Sequence, residues 1–217
     1  MLQFPLWWHG MPAILKGWFD RVFVQGFAFG VTDGRDRTLR YGEGNLAGKR
    51  ALVVTTAGAR GTGMGARGLH GDTEQLLFPL LHGTLWYTGM PVLPPLLIPR
   101  ADRLTPGRYE PAAALLRERL RGLATDAPIP YRRESGGDYD ADLVLRPHLE
   151  PGRTGLHIHT GDRPARRDPA PARTETAPTA TNPAETNPAR VSGAGANGAR
   201  AEGGTAGETG TAVPAAC

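Results

Sequence analysis

Two short stretches of this chain carry side chains that can hold and polarise a planar ligand. The first is PLWWHG at 5–10, where two indoles and an imidazole follow a proline. Aromatic rings bury large areas, and a buried indole N–H wants a partner. Three of the chain's four tryptophans, Trp7, Trp8 and Trp18, fall within residues 4–23. The second stretch is TTAGARGTGMGARGLHGD at 55–72, a pair of threonines followed by a glycine-rich loop that ends on His70. Glycines let a backbone approach a ligand closely and present its N–H groups. A planar heterocycle with a hydrogen-bonding edge fits between two such loops. By pattern alone a plain core and a plain loop account for them equally well.

Other chemistries find less support. The glycines at 58–65 suggest a phosphate cradle, but neither a Walker A motif nor G-x-G-x-x-G opening a helix is present. His157 and His159 alternate as two metal ligands would, yet no carboxylate or cysteine cluster joins them, so they read as surface histidines and no metal is expected. Ser135 and Ser192 are the only serines, and neither sits in a nucleophile elbow.

The elements around these stretches set where they lie. LQFPL at 2–6 reads as the end of a strand stopped by Pro5, and Pro12 suits the first turn of a helix. After it, Ile14, Trp18 and Val22 form one i,i+4 row and Leu15, Phe19 and Phe23 another, a broad apolar face opposite Lys16, Asp20 and Arg21. RALVVTTAG at 50–58 is β-branched and continuous, as a buried parallel strand is. TEQLLFPLLHGTLWYTGM at 73–90 has a helical pattern, with Gly89 near its end. The prolines before Pro99 make PVLPPLLIPR an edge strand or extended run. A helix is expected over 110–123, with Pro111 at its start, and a short strand at 155–159. Strands alternating with helices predict a parallel sheet with helices on its faces. In such a sheet ligands bind outside the carboxyl ends of the strands, where both stretches lie.

Composition divides the chain of 217 residues in two. Beyond His159 there is no Leu, Ile, Met, Phe, Tyr or Trp, and valine appears only at 191 and 213. Such a segment buries too little to offset its ordering entropy, so 161–217 reads as a disordered low-complexity tail behind a domain at 1–160. The formal net charge of +4 comes as scattered arginines, without a pattern for nucleic-acid binding. The single cysteine, Cys217, offers no disulfide framework and suits a reducing cytoplasm. No secretory signal and no membrane span are read from the sequence.

QFPLWWHGMPAILKGWFDRVFVQGFAFG at 3–30 resembles the NAD(P)H:quinone oxidoreductases of the flavodoxin-like superfamily (the DT-diaphorase type and its bacterial relatives). LVVTTAG, then GLHGD, then TGM follow in that family's order, and PIPYR and GGDYD near 128–140 look like its C-terminal extension. The resemblance implies an α/β, flavodoxin-like parallel sheet with flanking helices. It implies that Pro5, Leu6, Trp7, Trp8 and His9 line a flavin ring, with Thr55, Thr56, Ala57 and Gly58 along its pyrimidine side. His70 matches the histidine that offsets charge on the reduced flavin.

The implied reaction is ping-pong: NAD(P)H reduces the flavin, which reduces a quinone-like acceptor, with FAD favoured over FMN. A homodimer with sites at its interface is implied too. The chain departs from the pattern at Met64, where mammalian members carry a tyrosine partner for the histidine, and at Phe29 and Val31, which replace pocket tyrosines. It also starts at the family's third strand, so the domain is expected to be N-terminally truncated. A non-catalytic remnant or dimerising regulatory subunit of the same fold is the alternative.

Overall fold

A computed structural model describes residues 1–162; the tail expected at 161–217 lies, from 163 on, outside the described residues. Three parallel strands form a sheet: β1 (Leu2–Pro5), β2 (Val53–Ala57) and β3 (Leu96–Pro99), in the order β1-β2-β3. Leu2 registers with Val53 and Pro5 with Thr56; Val54 registers with Leu96 and Ala57 with Pro99. All three strands therefore end at the same edge. Among the described residues β3 pairs only with β2, which is the edge position its prolines call for.

Alternation along β2 divides the core in two. Val53 points into one face with Phe4, Phe19, Leu81, Trp86, Ile129 and Tyr131. Leu52 and Val54 point into the other, with Leu93 and Leu96, and are covered by Leu115, Leu116 and Leu123. A central strand buried on both faces is what a continuous β-branched run encodes.

Helix α1 (Ala13–Val22) starts one residue later than the proline suggests. Pro12 is extended, and its carbonyl accepts the Lys16 N–H at 3.0 Å. Only one of the two predicted rows is buried. Leu15, Phe19 and Phe23 pack on the core, whereas Ile14, Trp18 and Val22 face outward, with Ile14 91% exposed. Periodicity locates an apolar stripe but not how much of its width the neighbours cover.

The expected long helix at 73–90 is broken by its own chemistry. It becomes α2 (Thr73–Leu76), α3 (Phe78–Leu80) and a π turn (Leu81–Trp86), with Pro79 unable to donate within the run. Gly89 ends it at φ +96°, where a Cβ would meet the Gly44 carbonyl oxygen at 2.6 Å. A Cβ on Gly44 would in turn meet the Thr88 carbonyl carbon at 2.5 Å, so two backbones touch where the segment before β2 closes on the π turn.

Helix α4 (Pro106–Arg121) begins earlier than expected, with Pro106 in its first turn and Pro111 inside it. The first turn tolerates proline, and losing one interior hydrogen bond is outweighed by packing Leu115 and Leu116 on the sheet. The strand expected at 155–159 is instead a 3-10 turn at Leu156–His159, with Thr160 bridging to Tyr131. Within it His157 is exposed while His159 is half-buried, so the two do not share a face, and no group of metal-ligating residues occurs among the described residues.

Candidate functional site

Beyond β1 the chain folds back on itself. Trp7 N–H donates to the Gly10 carbonyl at 3.1 Å and Gly10 N–H to the Trp7 carbonyl at 3.0 Å. The two central residues, Trp8 and His9, take φ of +49° and +63°. This left-handed pair is the geometry of a type I′ turn, which glycine or asparagine usually supplies. Holding two bulky L-residues there stores strain of about 1–2 kcal/mol each, a cost found where a turn serves a site. The turn holds Trp8 99% exposed and Trp7 61% exposed, and no described residue accepts the Trp8 and His9 N–H groups.

The second loop rises from β2. Thr55 is fully buried, and its hydroxyl donates to the Phe4 carbonyl at 3.0 Å, so its side chain ties β1 to β2. Thr56 gives its carbonyl to the Leu6 N–H at 2.8 Å, which fixes where the first loop departs. Ala57 is buried and Gly58 exposed, with Asp102 3.5 Å from where a Cβ on Gly58 would lie. Pro5 and Leu6 stand at the end of β1, next to this edge.

Next comes a single 3-10 turn, Gly61–Met64, whose last residue is buried. His70 N–H donates to the Gly63 carbonyl at 2.9 Å, folding the glycine-rich loop back on itself. Gly68 has to be glycine, because a Cβ there would lie 2.3 Å from the Gly63 carbonyl group. A Cβ on Gly63 would press the His70 ring at 3.2 Å. Asp72 then caps α2, its carboxylate accepting the Glu74 N–H at 2.9 Å. The motif GLHGD thus holds His70 between a closed loop and a capped helix start.

His9 and His70 meet across the two loops, with His9 Nε2 3.2 Å from His70 Nδ1 and the rings 5.4 Å apart. One nitrogen of this contact carries the proton and the other accepts it. Sequence reading singles out both histidines but not their contact. Strand register, together with the fold-back of both loops, brings positions separated by 61 residues together. Met64, where the family resemblance leads one to expect a tyrosine, is buried in the loop, and the ring that does contact His70 is His9.

The loops suit the ring of a flavin. Two unpaired backbone N–H groups can meet a polar ring edge, indoles can cover a ring face, and the histidine pair lies at the same end of the sheet.

Residues 1–121 match a protein family described as having a flavodoxin-like fold. A ribosyldihydronicotinamide dehydrogenase-like protein of Penicillium crustosum is 40% identical over 74% of this chain and 60% of its own length. The guinea pig (Cavia porcellus) NAD(P)H dehydrogenase (quinone) 1 is 33% identical over 69% of this chain and 53% of its own. A crystal structure from Klebsiella pneumoniae, provisionally named a quinone reductase, superposes with a TM-score of 0.70 at 48% identity, over 73% of this chain and 62% of that one. The chain spans between about half and three fifths of the length of these curated relatives.

Proposed function

This chain belongs to the flavodoxin-like fold family, and on that premise we propose that it works as a flavin-dependent NAD(P)H dehydrogenase of the quinone type. The observation that carries the reading is the His9–His70 pair, set beside a strained tryptophan turn at the carboxyl end of a parallel sheet. Relatives named for nicotinamide donors and for quinone support it. Bound there, FAD or FMN supplies the two-electron relay between a nicotinamide donor and a quinone-like acceptor.

The chain's own groups bind, orient and handle protons. The Trp8 and His9 N–H groups donate to the polar edge of the ring, and Trp7 and Trp8 cover its face and exclude water. Gly58 and Ala57 bring backbone close on the other side, while Thr55 and Thr56 keep the two loops in register. His70 donates a hydrogen bond or a proton where negative charge develops, and His9 holds the His70 ring in orientation. Donor and acceptor use one pocket in turn.

The exposed row Ile14, Trp18 and Val22 on α1 supports a homodimer that covers those side chains. No described helix is long and apolar enough to cross a membrane. A need for reduced nicotinamide supports a cytoplasmic reaction.

The test titrates the full chain with FAD, FMN and lumiflavin, the bare ring, following the visible spectrum and flavin fluorescence. Saturable binding of all three, followed by bleaching with NADH, NADPH or dihydronicotinamide riboside and recovery on adding menadione, is expected. Bound flavin that no nicotinamide donor bleaches would leave only a flavin-binding protein. No binding at all would remove the site.

A further inference from the structure

A cavity of about 270 Å³ lies where α3 and the π turn meet the segments around Tyr41 and 132–159. None of the residues from the loops after β1 and β2 lines it. Its size is near the lower end of the ~300–1,000 Å³ usual for ligand pockets, which suits one or two fused rings. The walls are aromatic. His82 stacks on Phe78, centroids 4.5 Å apart and 14° from parallel, while Tyr41 lies 5.0 Å from the same imidazole at 30°. Tyr131 meets it edge-on at 5.0 Å.

Polar groups in this cavity come in two kinds. The charged ones are already satisfied: Arg132 reaches Asp138 at 2.9 Å and Glu150 at 3.7 Å, and Glu134 holds Arg40 through two contacts of 2.5 and 3.2 Å. An ionic ligand would lose water here without gaining an uncommitted counter-charge. The neutral ones are not all satisfied. Burial holds His82 down to about 4, with the His159 ring a smaller influence, and lowers His159 as well. Both imidazoles are therefore uncharged at pH 7.

Tyr139, pushed up to about 12 by burial, keeps its proton, and its hydroxyl pairs with His159 Nδ1 at 3.0 Å, which leaves His159 Nε2 as the ring's second polar atom. No described residue hydrogen-bonds the His82 nitrogens, so that ring has one donor and one acceptor to offer. Aromatic walls, two neutral imidazoles whose ring centroids lie 6.2 Å apart, and no spare charge suit an uncharged aromatic ligand with a hydrogen-bonding group. We propose that this cavity is a second ligand site, separate from the loops after β1 and β2, for an uncharged phenol of one or two fused rings.

Sequence reading misses the site because its residues are scattered from 41 to 159 and form no motif. His159 looks like half of an exposed pair, and His82 like one position in a helical stripe.

The test uses the full chain with histidine labelled in 13C. 2-Naphthol is titrated in at pH 7, with 2-naphthalenesulfonate as the ionic probe of the same ring system. Saturable shifts of the His82 and His159 ring signals by 2-naphthol are expected, with the sulfonate binding at least about tenfold more weakly. His82→Phe keeps the stack on Phe78 and removes the nitrogens, and should weaken 2-naphthol about tenfold or more. Equal affinity for the two probes would overturn the proposal, and so would no saturation at millimolar 2-naphthol. Shifts centred on His9 and His70 would overturn it too, since they would place the phenol at the other site. If His82→Phe does not fold, the comparison of the two probes on the unaltered chain still decides. Neither flavin nor turnover enters these readouts, so their outcome is independent of the oxidoreductase reading.

Discussion

At the scale of single residues, the chemistry proposed for this chain turns on which side chain faces the reacting ring and which one supports it. His70 is the group offered to developing charge, and His9 reaches it across the loops at 3.2 Å. With flavin bound, His70→Ala should slow reduction by NAD(P)H on the order of a hundredfold while flavin stays bound. Stopped-flow bleaching measures this, and an unchanged rate would take His70 out of the mechanism. His9→Phe keeps a ring at the turn and removes the nitrogen, so it should give a smaller loss of the same kind. The His70 tautomer, read from 15N ring shifts in the flavin-free chain, should then change. A fixed tautomer would mean that the contact orients nothing.

At the scale of elements, α1 shows how burial rather than periodicity sets energy. Phe19 is 5% exposed and touches the rings of Trp18 and Phe23 edge-on at 5.1 and 4.8 Å, whereas Ile14 one turn earlier stands in solvent. Phe19→Ala should cost about 3–5 kcal/mol, by lost transfer energy and the cavity left behind. Ile14→Ala should stay within about 0.5 kcal/mol in dilute solution. Urea unfolding at low protein concentration separates them, and comparable losses would mean that the outer row is covered after all. The same comparison bears on the proposed dimer: there Ile14→Ala should act only through the concentration dependence of melting.

For the whole molecule, pH is the lever that the buried imidazoles provide. His82 titrates at about 4 in the native protein against an ordinary 6.5. As pH falls below about 6.5 the unfolded chain takes up the proton first. The group's share of stability is therefore whole above that pH and lost progressively toward pH 4, reaching up to about 3 kcal/mol. His159, also lowered by burial, acts in the same direction. Asp33 and Glu43 are held below the usual carboxylate range by backbone N–H donors and by Arg37 respectively, so their losses come at lower pH. Urea midpoints between pH 7.5 and 5 should fall, and His82→Phe should flatten that slope. A slope unchanged by the substitution would show that His82 is not buried as a neutral ring.

Features encoded over short distances were legible in the sequence alone. The continuous β-branched run at β2, the prolines that confine β3 to an edge, and the glycine-rich connections predict the parallel α/β sheet and place both candidate loops at its carboxyl edge. The long motif around the tryptophans carries the family resemblance for the same reason, since its spacing is local. Long-range packing sets which row of α1 is covered, and makes Thr55 a tie between strands rather than a group facing the loops. It also brings His9 to His70, and puts His82 and His159 in one aromatic cavity with Tyr139. These contacts join positions tens of residues apart. Their distances follow from strand register, from two backbones touching at Gly44 and Gly89, and from a helix broken at Pro79, where summed packing overrides what any local window of sequence prefers.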